Sequence, residues 1–222
     1  KEFPHPSPVK KVDCAKCHQS AAAYMTSTHA KAAQAGEAGA NCADCHGRHD
    51  IRPAREPSSR IAAANIIKTC GRCHAVEAKK FAASAHGLAS ARGVRAAPNC
   101  IDCHGEHDIR APGETGSRVA RADRAKACVD CHRSARLSSR FGDRVQSFSA
   151  SFHGMAGKGG DLNVADCASC HGWHDVQSSS DTRSRTHPSN LARTCGHCHE
   201  GAGKRWGGGR FKVAGRMTAH KP

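Results

Sequence analysis

All fourteen cysteines of this 222-residue chain fall into seven copies of one pattern, Cys-x-x-Cys-His. The copies are Cys14, Cys17 and His18; Cys42, Cys45 and His46; Cys70, Cys73 and His74; Cys100, Cys103 and His104; Cys128, Cys131 and His132; Cys167, Cys170 and His171; and Cys195, Cys198 and His199. None is degenerate. A disulfide scaffold does not need its cysteines in identical pairs. A zinc ribbon or a thioredoxin-like redox centre does not need a histidine at the same offset every time.

The pattern fits covalent attachment of c-type haem. Two thiols add across the two vinyl groups of one porphyrin, and a spacing of two residues lets both reach the same edge. The next residue, histidine, then falls under the iron as its proximal ligand. Seven motifs predict seven covalently attached haem c groups, held by the fourteen cysteines and by His18, His46, His74, His104, His132, His171 and His199.

Composition agrees. The chain is 38% hydrophobic and only 4% aromatic, with a mean hydropathy of −0.61. That is too little apolar side chain for a conventional core at this length. Flat apolar macrocycles would supply the missing buried surface, so the cofactors are expected to form the core with the polypeptide wrapped around them.

The formal charge of +15 would ordinarily suggest nucleic acid. Two ionised propionates per bis-histidine haem bring the total to about +8 when ferric and about +1 when ferrous. The basic excess therefore reads as pairing for propionates, and no nucleic-acid partner is expected. The cluster Lys204, Arg205, Arg210, Lys212 and Arg216 reads as a solvated tail or as a docking patch for an acidic redox partner protein. No stretch has the length of a membrane span and none reads as a signal peptide. Because c-type haem is attached outside the cytosol, the expected location is periplasmic or extracellular, after export and removal of a leader.

The first cysteines are separated by 28, 28, 30, 28, 39 and 28 residues. The chain is thus an array. Two kinds of motif alternate. Odd-numbered ones lead to Ser27-Thr28-His29, Ser84-Ala85-His86, Ser151-Phe152-His153 and Thr218-Ala219-His220. Even-numbered ones run straight into His46-Gly47-Arg48-His49-Asp50-Ile51, His104-Gly105-Glu106-His107-Asp108-Ile109 and His171-Gly172-Trp173-His174-Asp175-Val176. This gives a single domain over residues 1–222, built of about three and a half two-haem units. A further echo, Ser59-Arg60-Ile61, Ser117-Arg118-Val119 and Ser184-Arg185-Thr186, lies eleven residues before the next first cysteine. Its serine reads as the N-cap of a short helix carrying the following motif. Ala-rich sequence predicts helix over roughly 19–34, 75–91 and 134–156. The run Gly201 to Gly209 reads as loop, and strands should be few or absent.

Ten histidines remain for the far sides of seven irons. Seven recur on the repeat: His29, His49, His86, His107, His153, His174 and His220. His187 aligns with Ala62 and Ala120 and reads as solvent-facing; His197 lies inside a motif, where distal ligation is awkward. His5 follows no repeat and reads as a tail residue, with ligation of a neighbouring molecule's iron as the alternative. Only Met25, Met155 and Met217 could give methionine ligation, each beside a better-placed histidine. Low-spin bis-histidine iron throughout is the expectation, with low potentials and no open coordination position. Residues three apart on a helical turn point to the same side. His49 therefore serves a haem other than that of His46, and likewise His107 and His174.

These elements resemble the paired Cys-x-x-Cys-His multihaem cytochromes c, from Cys14 to His220. The Ser-x-His-Gly and Cys-His-Gly-x-His-Asp-Ile elements are similar to those of periplasmic decahaem and pentahaem carriers. The resemblance implies a fold of mainly coil with short α-helices, closely packed haems and a role in electron transfer. Some relatives polymerise into extracellular cytochrome filaments, in which a histidine of one subunit ligates a haem of the next. A discrete carrier and a filament subunit, or nanowire, both stay open on the sequence, as homopolymer contacts between haems do. The alternative class is an oxidoreductase of the nitrite or hydroxylamine type with one open iron. Such enzymes resemble the chain in motif but carry a Cys-x-x-Cys-Lys variant or lack a distal ligand, and no motif departs here, so a non-enzymatic carrier with no catalytic residue is expected.

Overall fold

A computed structural model describes residues 12–141 and 144–202. His5, His220, the basic cluster from Lys204 to Arg216 and the glycine run beyond Ala202 lie outside the described residues. The fold is 48% helical in thirteen short α-helices, with the rest coil and no strand among the described residues. The longest helix, Arg124–His132, has nine residues.

The three long helices expected from the Ala-rich stretches are each broken. The first divides into Ser20–Tyr24 and Thr28–Gln34, the second into Ala75–Ala82 and Ala85–Ala91, and the third into Ala135–Phe141, Arg144–Ser149 and Phe152–Lys158. One serine lies at a break in every case. Ser27, Ser84 and Ser151 take extended backbone angles, and each hydroxyl accepts from the N–H three residues on: Ala30 at 3.1 Å, Gly87 at 3.1 Å and Gly154 at 3.2 Å. Alanine propensity is a weak preference, and a serine that can cap a new helix overrides it. Each break re-aims the chain so that the histidine two residues later starts a fresh helix.

The other serine series does something else. Ser59, Ser117 and Ser184 do not cap the motif helices, whose N-cap residues are Asn65, Asp123 and Asn190. Their hydroxyls instead donate seven residues backward, to the carbonyls of Arg52 at 2.9 Å, Arg110 at 3.2 Å and Gln177 at 3.4 Å. Each closes a loop that a polar group can enter only if its hydrogen bond is made. The neighbouring arginines pair across the same loop, Arg60 with Asp50 at 3.2 Å, Arg118 with Asp108 at 3.8 Å and Arg185 with Asp175 at 3.1 Å.

The apolar side chains that are buried are few: Ala30, Ala62, Ile66, Phe81, Ala168 and Ala202. Serines 27, 59, 84, 117 and 184 are buried as deeply. Polypeptide alone thus makes almost no oily centre. Its secondary structure serves to place cysteines and histidines.

Candidate haem sites

The three even-numbered motifs form single-turn helices, Cys42–His46, Cys100–His104 and Cys167–His171. Each opens with a capping box, Asn41 with Asp44, Asn99 with Asp102 and Asp166 with Ser169. Each ends at its histidine because the following glycine has positive φ: 92° at Gly47, 88° at Gly105 and 83° at Gly172. Only glycine adopts that angle cheaply, and here a Cβ would also run into the carboxylate of Asp50, Asp108 or Asp175. The odd-numbered motifs lie at the ends of Ile66–Gly71, Arg124–His132 and Leu191–Gly196 and on the 3-10 turn Cys14–Lys16, without a capping box or a glycine of positive φ directly after the histidine. One turn puts the two thiols of a motif on a common side. None of the fourteen forms a disulfide.

Because the helix stops at the first histidine, the second histidine of each His-Gly-x-His element does not share a helical turn with it, contrary to the geometry expected above. The rings nevertheless face other units. His46 lies opposite His107, with centroids 6.0 Å apart, and His104 opposite His174 at 6.0 Å. The Ser-x-His histidines do the same: His29 faces His74 at 6.1 Å, His86 faces His132 at 6.1 Å and His153 faces His199 at 6.0 Å. In all five, a motif histidine meets a second histidine from an adjacent unit.

The spacing discriminates between chemistries. Two metal–imidazole bonds of about 2.0 Å and roughly 1.1 Å from each bonding nitrogen to its ring centre give about 6.2 Å across a metal. Rings in direct contact would have no reason to settle on that one value five times. Among the described residues no three His, Cys, Asp or Glu converge on a point. Ligands in twos suit a metal whose other four positions a macrocycle fills.

Burial lowers the pKa of His29, His46, His86, His104, His132 and His153, and for all but His132 a neighbouring imidazole lowers it further. They are held neutral, the form that ligates. Three other candidates sit differently: His18 is exposed beside His46, His49 is exposed after Gly47, and His171 is half-buried at the end of its helix. Met25 and Met155 are exposed. His187, expected to face solvent, is half-buried and caps the turn Pro188–Asn190, its Nδ1 accepting from the N–H of Ser189 at 3.3 Å. His197 is exposed.

Consecutive motifs approach one another at their sulfurs. Cys14 hydrogen-bonds with Cys42, Cys70 with Cys100 and Cys128 with Cys167, while Cys45 lies near Cys70, Cys103 near Cys131 and Cys170 near Cys195. The contacts run through the motifs in sequence order.

Side chains that sequence reasoning passed over lock these junctions. Arg72 donates to the carbonyl of Asp44, joining the third motif to the second. Arg124 and Asp166 form an ion pair between the fifth and sixth, with side chains only 10% and 15% exposed. The guanidinium also lies 4.2 Å from the Trp173 ring. Burial pushes the Asp166 carboxyl up, but hydrogen bonds from Arg124 and Ser169 outweigh it and hold it below the usual range. The signal was present in the repeat. Ile66 and Leu191 occupy the position of Arg124, and Asn41 and Asn99 that of Asp166. A cation and an anion thus enter together in one unit. An open cavity of about 570 Å³ adjoins His107, with Ala23 and Ile101 as apolar wall and Arg118 as a cation.

The family described as cytochrome c7 and related cytochrome c matches residues 1–75, and the doubled CXXCH motif matches residues 93–137. No curated protein and no solved structure matches. The chain belongs to the multihaem c-type cytochromes. The cytochrome binds haem c through its Cys-x-x-Cys-His motifs, and its fold of short helices in coil is that of such a protein. No helix among the described residues is long and apolar enough to cross a membrane. Multihaem electron transfer is the function its families support, and cytochromes of the c7 kind are electron carriers.

Proposed function

We propose that the chain holds seven haem c groups in one row and conducts electrons along it, as an exported periplasmic or extracellular carrier and not as an enzyme. The paired imidazoles at a common 6.0–6.1 Å carry the reading. Each motif's cysteines fix a macrocycle by one edge, and its histidine takes the near axial position. The far position is filled from an adjacent unit: His29 completes the site of His74, His86 that of His132, His153 that of His199, His107 that of His46 and His174 that of His104. His49, His220, His18 and His171 complete the set of fourteen axial ligands.

When bound, haem c supplies a one-electron ferric–ferrous couple, and a row of them in this order carries charge from one end to the other. The protein's task is then positioning. Histidines occupy both axial positions and leave none for substrate. The sulfur contacts between consecutive motifs support a row that follows the sequence from the first motif to the seventh. Lysines and arginines remain for propionates and for an acidic redox partner protein.

Intact mass of protein matured with haem attachment machinery tests the count. A polypeptide carrying seven haems, entirely low-spin when ferric and inert to carbon monoxide when ferrous, is expected. Fewer haems, or a high-spin signal, would contradict the reading, and a high-spin centre would bring back the enzyme.

A further inference from the structure

The chain makes one joint with itself twice. The N–H of Thr28 donates to the carbonyl of Ile109 at 2.9 Å, and one unit on the N–H of Ala85 donates to the carbonyl of Val176 at 2.8 Å. In each, the first residue of a Ser-x-His helix docks on the segment that follows a Cys-His-Gly-x-His element of the next unit. Side chains clasp both. Thr28 Oγ1 donates to Glu114 at 2.9 Å and accepts from the N–H of Ala111 at 2.8 Å, and Lys31 reaches Glu114 at 2.5 Å. In the second joint Gln177 donates to the carbonyl of Ala83 at 2.7 Å.

Among the described residues the repeat contains one more half-joint of each kind; Ala219, in the corresponding place of the last unit, lies outside them. Phe152 holds the position of Thr28 and Ala85; Ile51 holds that of Ile109 and Val176. Their four counterparts are half-buried, but Phe152 is 67% exposed and Ile51 65%. Ser151 is only half-buried where Ser27 and Ser84 are 0% and 1% exposed. Neither the N–H of Phe152 nor the carbonyl of Ile51 makes a hydrogen bond among the described residues.

We propose that the Phe152 face of one molecule binds the Ile51 face of a second copy of this chain, repeating the internal joint between molecules. The two faces match at their centre. Where Thr28 offers a hydroxyl to the N–H of Ala111, the open pair has Phe152, without a hydroxyl, against Pro53, without an N–H. Where Lys31 reaches Glu114, the open helix presents Met155, which is 57% exposed. The hydroxyl–amide clasp is exchanged for an apolar pair, with an aromatic anchor of the kind that dominates interfaces, while Glu56 keeps the position of Glu114 at the edge of the face. Arg52, the counterpart of Gln177, pairs with Glu56 at 3.2 Å and has further N–H donors for the carbonyl of Ala150, the counterpart of Ala83. The faces differ from each other, so the joint is head-to-tail and repeats into a ring or an open rod. The proposal rests on the haem-row reading only in that each joint extends the same row.

Haem-loaded full-length protein is examined by sedimentation velocity across a concentration series, together with Phe152→Asp and Ile51→Asp. Wild type should grow in mass with concentration. Each variant, with its haem spectrum intact, should weaken association by roughly tenfold or more. An equimolar mixture of the two variants retains one good face on each molecule, and should stop at a dimer. A wild type that stays monomeric at every concentration would overturn the proposal. So would variants that associate as wild type does, a mixture that forms no dimer, or protection of the Phe152 amide from hydrogen exchange in a monomeric sample, which means that another segment of the chain covers it. Haem content read on the same samples keeps the outcomes separate, since a deficit there contradicts the electron-transfer reading and not the joint.

Discussion

The ring of His46 lies parallel to that of His107, with centroids 6.0 Å apart and planes 5° apart. They come from different motifs in successive units. On the proposed haem row, each iron is shared between two stretches of chain, one that carries the cysteines and one that does not.

Removing His107 should therefore disturb the haem of the second motif and leave that of the fourth intact. In His107→Ala we expect one high-spin ferric centre, with all haems still attached. Replacing Cys42 and Cys45 with serine in the same chain should abolish that high-spin signal, because the affected haem is gone. Persistence of the signal in the triple variant, read by electron paramagnetic resonance, would place His107 on another iron. His107→Met should raise one potential by on the order of 0.1 V.

The Arg124–Asp166 pair is nearly closed to water. Asp166→Asn leaves a guanidinium buried without its counter-charge and should destabilise the haem-loaded protein by about 3 kcal/mol. Adding Arg124→Ile restores the apolar and amide combination of Ile66 and Asn99. The double variant should recover to within about 1 kcal/mol of wild type, since an apolar replacement of a buried pair is often neutral. Denaturant titration followed in the haem absorption band measures both. Additive losses would mean that the two side chains act separately.

Ser84 carries two hydrogen bonds at the break before His86, accepting from the N–H of Gly87 at 3.1 Å and donating to the carbonyl of Phe81 at 2.7 Å. Ser84→Ala should cost about 1–2 kcal/mol by thermal or chemical unfolding. Ser84→Asp keeps a capping acceptor and should lose less on that account, although the buried charge opposes it. Equal stability of alanine variant and wild type would show that the break does not depend on the cap.

Hydrogen bonds from Lys31, Thr28 and the N–H of Ala111 hold the Glu114 carboxyl down at about 2 against an ordinary 4.5. The folded state therefore binds this proton less readily than the unfolded chain. Its stabilising contribution is complete above pH 4.5 and is lost as pH falls from there through about 2. The melting temperature of wild type should exceed that of Glu114→Gln at neutral pH, with the gap narrowing across that window. A gap unchanged at the acid end would show that the carboxylate does not act through its charge.

The attachment motifs and their two-haem periodicity were legible because the chemistry is local: thiol, thiol and histidine sit at fixed offsets along the chain. Coil with short helices was legible through the family resemblance, whereas the Ala-rich stretches by themselves read as three long helices. Helix ends were not legible from alanine content, because Ser27 and Ser84 act through one or two local hydrogen bonds that propensity does not weigh. Ser59 looked like a cap from its distance to Cys70, yet it bonds backward to Arg52; a constant ten-residue gap from Asp50 to Arg60, repeated at Asp108 and Asp175, was the available clue. Which ring meets which was beyond pattern reading, since those encounters depend on how whole units overlap. Arg124 was hidden for a different reason. It departs from the repeat, and its meaning appears only when Asp166 and Trp173 are brought beside it.

The glycine that stops each even-numbered motif helix, Gly47, Gly105 or Gly172, turns the chain away from its own motif, and on the proposed haem row toward a neighbour's iron. A gene built this way can grow by tandem duplication without redesign, because a copied unit arrives with the ligand its predecessor needs and with a vacancy for its successor. Length becomes the adjustable trait. The same local code, written more times, spans a greater distance.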